Sequence, residues 1–137
     1  MLNITTEHED GASGRVAVMR LEGELDAATY LDVIERGRQL AAEGTRNVVL
    51  DLGDLSYMGS SGLFAIHSLA TLLRGEEPSD PEAGWGAIHS MADRGSETAE
   101  TLKLLNPQPQ VDRVLERSGL KRFFETYTDR AAAIGSF

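Results

Sequence analysis

Asn47-Val48-Val49-Leu50-Asp51-Leu52 is the stretch that most restricts the fold. It is an apolar run of strand length with little alternation. That suits a central strand covered on both faces, parallel to its neighbour across a helix. Such a strand needs helices around it, and helical patterns flank this one. Upstream, Leu31, Ile34 and Leu40 recur at helical spacing, with Arg36, Arg38 and Glu43 polar between them and Gly44 placed to end the helix. Downstream, Leu63, Ile66, Leu69/Ala70 and Leu73 form one apolar face, which Gly75 ends.

The rest of the chain continues the alternation. Leu2–Thr6 reads as a short strand and Glu7–Gly14 as a polar turn. Val16–Glu22 reads as a second strand, with Val16, Val18 and Arg20 on one face and Ala17, Met19 and Leu21 on the other. Gly23–Asp26 follows as a loop, and Gly53–Gly62 as a turn-rich stretch anchored by Leu55, Tyr57 and Met58. Thr101–Leu105 resumes strand character after a long break. Val111, Val114, Leu115 and Ser118 suggest a short helix stopped by Gly119, and Phe123–Tyr127 a last strand. Thr128 is placed to cap a final helix through Ala131–Ile134. The expectation is an α/β fold: a mixed sheet of four to five strands with helices mainly on one face, in a single domain over residues 1–137.

Charge narrows the partners. Against 22 acidic residues stand 13 basic ones, a net charge of −9. Such a chain repels the nucleic acid backbone and anionic lipid, so neither is expected as a partner. The absence of cysteine removes disulfides, thiolate metal sites and cysteine nucleophiles. No apolar stretch is long enough to span a bilayer, and Met1–Glu7 lacks the basic and apolar regions of a secretory signal. A cytoplasmic location is expected. Much of the charge sits in Gly75–Glu100, which holds seven acidic residues and one basic one, Pro78, Pro81 and four glycines. It reads as a long acidic loop insertion, with a short ordered piece around Trp85–His89. Trp85 either pins that loop to the core or anchors a partner.

The segment after the central strand carries the chemistry. Gly59-Ser60-Ser61-Gly62-Leu63 opens the second helix. Amides at a helix N-terminus lack partners inside the helix, and the helix dipole makes that end positive. A phosphate there is stabilised without a basic side chain. Gly62 leaves the approach open. Ser60 or Ser61 is therefore a chemically sensible phosphorylation site. The plainer reading is that either serine merely caps the helix.

In order and spacing, several pieces resemble the STAS domain family, the fold of bacterial anti-sigma-factor antagonists and sulfate transporter tails. They are Gly23-Glu24-Leu25-Asp26, Val48–Leu52, Ser60-Ser61-Gly62-Leu63, Leu102–Pro107 and Val114–Leu120. The resemblance implies a partner switch. The unphosphorylated domain binds an anti-sigma factor, a serine kinase with a histidine-kinase-like ATPase fold. Phosphorylation by that partner releases it, and a serine phosphatase resets the domain. Carried over, the acceptor is Ser61, with Ser60 as a cap or secondary acceptor. Asp26, Gly59 and Gly62 lie in the partner surface. No cofactor, metal or catalytic residue is implied, so the domain is not an enzyme. Two departures stand out. The family's Asp before the serine pair is Gly59 here, and Gly75–Glu100 replaces a short turn. A non-phosphorylated STAS adaptor, in a signalling complex or beside a transporter, is the alternative.

Enzyme readings fit less well. A nucleophile elbow needs Gly-x-Ser-x-Gly, and Leu63 stands where the last glycine belongs. His8, His67 and His89 have no metal-ligand spacing, and His67 reads as half-buried. No phosphate-cradling Gly-x-x-x-x-Gly-Lys loop is present. Glu22, Glu24 and Asp26 read as a solvated strand end.

Overall fold

A computed structural model describes residues 2–11, 14–76 and 99–137. The strands are β1 (Leu2–Gly11), β2 (Gly14–Leu25), β3 (Asn47–Met58), β4 (Ala99–Leu105) and β5 (Phe124–Tyr127). The helices are α1 (Tyr30–Ala42), α2 (Ser60–Leu73), α3 (Pro109–Ser118) and α4 (Arg130–Gly135), with a 3₁₀ turn over Leu120–Phe123. Among the described residues the strands form one sheet in the order β1-β2-β3-β4-β5. β1 runs antiparallel to β2, and every later pair is parallel. The expected mixed α/β architecture is therefore what forms.

The strand faces follow the alternation in the sequence. Ala17, Met19, Leu21, Val48, Leu50, Leu52, Leu102 and Leu104 point into the larger core, against α1, α2 and α3. Val16, Val18, Val49 and Leu105 point the other way and meet Ala133 and Ile134 of α4 together with Tyr127 and Phe137. So β3 is covered on both faces, as its unbroken apolar run requires. Among the described residues three helices lie on one face, and the short α4 lies on the other. The first two helices are parallel neighbours. Near their starts Tyr30 meets Phe64 edge-to-face at 6.1 Å, and farther along Gly37 makes room for Leu69.

Several boundaries differ from the sequence reading, each for a tertiary reason. β1 continues through Glu7–Gly11, because β2 supplies a partner at every position. β2 includes Gly23–Leu25 and β3 includes Gly53–Met58, because the two strands keep pairing across two register shifts. β4 starts at Ala99, held opposite Phe124. The last helix is capped by Asp129, whose carboxylate accepts from the Ala132 N–H at 3.2 Å, and not by Thr128. Leu31 is 55% exposed and does not join the core. α2 is buried on nearly all sides, with Ser60 exposed and Ser61 and His67 half-buried, where a single apolar face was expected. Most of the acidic insertion, with Trp85 and His89, lies outside the described residues.

Candidate functional site

In a parallel α/β sheet the loops after the strands gather at one edge. Here the carboxyl ends of β2 and β3 place two of them together. Leu25 stands opposite Met58 in the register, and the Gly59 N–H donates to the Leu25 carbonyl at 3.0 Å. The turn after β2 carries Asp26, and the turn after β3 carries the serines.

The Asp26 turn is tightly organised. The Asp26 carboxylate accepts from the Ala28 N–H at 3.0 Å. The Thr29 hydroxyl accepts from the Asp26 N–H at 3.0 Å and donates to the Glu24 carbonyl at 2.9 Å, with Asp26 Oδ1 3.2 Å away. Asp26 is half-buried and holds the entry of α1, where Thr29 is the N-cap. Its carboxylate shapes the turn, as short acidic side chains do through their own backbone.

The serine turn is built differently. Gly59 is the N-cap of α2 and makes no side-chain cap, and its backbone is extended, at φ −92° and ψ −177°. Ser60 and Ser61 are the first two helical residues, so neither serine is the cap. Among the described residues neither hydroxyl has a hydrogen-bond partner. Ser60 is exposed and Ser61 half-buried. Both lie in the turn where helix amides are unpaired and the dipole favours an anion.

Gly62 turns out to face inward. A Cβ there would stand 2.6 Å from Met58 Cγ and 3.1 Å from Leu25 Cδ2. Its missing side chain lets α2 sit against the ends of β2 and β3, and the approach it opens is that of the helix onto the sheet. Leu31 and Tyr57 are the exposed large hydrophobic residues among those described. Tyr57 is 45% exposed, and its ring atom Cε2 lies 3.5 Å from where a Cβ on Gly59 would stand; Leu31 lies in the first turn of α1.

Two residues with no pattern in the sequence complete the site. From the first turn of α3, Gln110 Oε1 accepts from the Met58 N–H at 3.0 Å, and Gln110 Nε2 donates to the Met58 carbonyl at 3.4 Å. From the residue capping that helix, Gln108 Nε2 donates to the Gly53 carbonyl at 2.7 Å. A glutamine beside a proline carries no local signal of such a role.

On the exposed sheet face Arg20 pairs with Asp54, an ion pair that raises the Arg20 pKa. Among the described residues no group of three or more His, Asp or Glu side chains could hold a metal. His8 is on β1 and His67 on α2.

A family model described as STAS domain matches residues 3–77. The chain belongs to the STAS domain family. The matched region runs from β1 through α2 and includes both turns of the site. No curated protein matches the sequence. Solved structures match the fold. An anti-sigma factor antagonist from Mycobacterium paratuberculosis is 20% identical, with a TM-score of 0.62 over 96% of this STAS chain and 91% of that one. The Bacillus cell fate determinant SpoIIAA in its phosphorylated form is 22% identical, with a TM-score of 0.55 over 93% and 96%. The anti-sigma factor antagonist SpoIIAA in its unphosphorylated form is 19% identical, with a TM-score of 0.50 over 93% and 88%. Among the described residues of this STAS domain no helix is long and apolar enough to cross a membrane.

Proposed function

We propose that this STAS domain is an anti-sigma-factor antagonist of the partner-switching kind. Unphosphorylated, it binds an anti-sigma factor with a histidine-kinase-like ATPase fold, through the rim formed by the Asp26 turn, Gly59, the serines, Tyr57 and Leu31. That partner, acting as a serine kinase, transfers phosphate to Ser61, with Ser60 as the secondary acceptor, and a serine phosphatase reverses the step. The domain works by binding, without a cofactor and without catalysis of its own.

The observation that carries this reading is the pair of unpartnered serine hydroxyls in the first turn of α2, beside exposed Tyr57. A capping serine would already be engaged. These are free to accept a phosphoryl group, and the helix start favours the resulting anion. The same anion, lodged in a rim that packs against a partner, brings repulsion and desolvation that favour release. Structural likeness to phosphorylated and unphosphorylated SpoIIAA supports the reading at the level of the fold.

One observation favours a second reading. Gly59 places no carboxylate next to the serines, where the family has one. A constitutive adaptor would need no acceptor there.

Phosphopeptide mass spectrometry on protein from its own cells, with phosphatases inhibited, tests the first reading at the peptide holding Ser60 and Ser61. Ser61→Asp should then weaken binding of the captured kinase partner by more than about 1 kcal/mol by calorimetry. A well-covered peptide without phosphate under every growth condition, or equal binding by Ser61→Ala and Ser61→Asp, would leave the adaptor standing.

A further inference from the structure

β3 outruns its neighbour. β4 pairs with it from Val48 to Asp51 and then turns away at Asn106, whose backbone is left-handed at φ 51°. From Gly53 to Met58, β3 keeps β2 on one side and, among the described residues, has no strand on the other. Successive residues of a strand turn their N–H and C=O groups to alternate sides. Gly59 turns its N–H toward β2, so Met58 turns both of its groups away from β2. An unpaired strand edge must find partners in side chains or water. Here one primary amide takes both groups of Met58, at 3.0 and 3.4 Å, and a second takes the Gly53 carbonyl.

We propose that Gln110 is a positioning residue for the serine segment: it replaces the missing strand beside Met58 and so sets where Gly59, Ser60 and Ser61 stand. A primary amide matches a peptide group because it offers one donor and one acceptor together. An ionised carboxylate offers acceptors only, and Lys and Arg donors only. The pairing admits one orientation of the amide, with its oxygen toward the Met58 N–H. The serine segment is thereby held from two sides, by Leu25 through Gly59 and by Gln110 through Met58. α3 becomes the element whose placement the serines follow. The functional side of this proposal rests on the switch reading above, and its structural side does not.

The test uses the whole chain. Gln110→Leu keeps the bulk and removes both hydrogen bonds. Gln110→Glu keeps the acceptor for the Met58 N–H. Amide exchange by NMR should show Met58 exchanging at least about tenfold faster in Gln110→Leu, relative to Val18 and Val49, the scale of one lost hydrogen bond. The amide resonances of Gly59, Ser60 and Ser61 should shift in the same variant. Relative to Val18 and Val49, Gln110→Glu should protect Met58 better with its carboxyl protonated, when it offers one donor and one acceptor, than with it ionised, a pH-dependent rescue that loss of packing would not give. In its own cells, Gln110→Leu should carry less phosphate on Ser60 and Ser61 than the parent. Unchanged Met58 exchange and unchanged resonances at Gly59–Ser61 would overturn the proposal. If Gln110→Leu fails to fold, Gln110→Glu decides: Met58 protection there that does not rise as the carboxyl is protonated also overturns it. Phosphate absent from the parent protein would sink the switch reading, while the exchange data would still decide the positioning role.

Discussion

The Gly59 N–H donates to the Leu25 carbonyl at 3.0 Å, and this bond sews the two functional turns of the domain together. It continues the parallel pairing of β2 and β3 one residue past their last register pair, Leu25 with Met58. The Asp26 turn and the serine turn are therefore neighbours by sheet geometry. A partner meeting one meets the other.

Gly62 is where helix and sheet come closest at this edge. A methyl group there would collide with Met58 Cγ, a mid-chain atom that cannot swing aside freely. We expect Gly62→Ala to cost about 1–3 kcal/mol, the scale for overpacking a tight core. Urea denaturation of the variant checks this; parent-like stability would mean the helix start has slack.

Gly59 behaves oppositely. Its backbone is extended, and an added Cβ would meet only ordinary contacts with Tyr57, the nearest at 3.4 Å. Gly59→Asp should fold as well as the parent and gain about 0.5 kcal/mol, because Asp caps helices and restricts the unfolded chain. It also restores the family's acidic residue. Under the switch reading, phosphate on Ser61 should rise in this variant, as read by phosphopeptide mass spectrometry. A drop in melting temperature would contradict the open geometry at this position.

Ser68 is fully buried on α2, and its hydroxyl has no hydrogen-bond partner among the described residues. An unsatisfied buried polar group is a standing cost. Ser68→Ala should stabilise the fold by about 1 kcal/mol, since the hydroxyl is lost and Ala is the better helix former. Calorimetric melting measures this. A destabilised variant would mean that the hydroxyl is satisfied in solution.

The far side of the sheet carries a pH-sensitive contact. Lys103 is buried, its Nζ lies 2.7 Å from the Glu125 carboxylate, and it stands over the Phe137 ring at 5.4 Å. The hydrogen bond from Lys103, and then that from the Tyr127 hydroxyl, hold the Glu125 carboxyl below its ordinary range. A depressed acid stabilises the fold above its unfolded value, and the contribution is lost as pH falls through the folded one. Glu125 is half-exposed, so the pair should be worth about 1 kcal/mol or less. The melting difference between parent and Glu125→Gln should be complete at neutral pH and close below roughly pH 4. A difference that did not change with pH would remove the ion pair from the account.

The sequence by itself determined the order of strands and helices, the α/β class, the two faces of β2 and the serine pair at the junction of β3 and α2. Each is a local signal, a period of two or 3.6 or an apolar run, and local signals survive without knowledge of neighbours. Only the tertiary structure decided how far β2 and β3 extend, because Gly23–Leu25 and Gly53–Met58 become strand by pairing with each other. It also decided that Gly62 faces the core, that Leu31 faces solvent and that Gln110 holds Met58. That last contact joins residues 52 apart in the chain. A backbone group takes whichever partner the fold brings within reach, and no pattern near Gln110 or Met58 records the meeting.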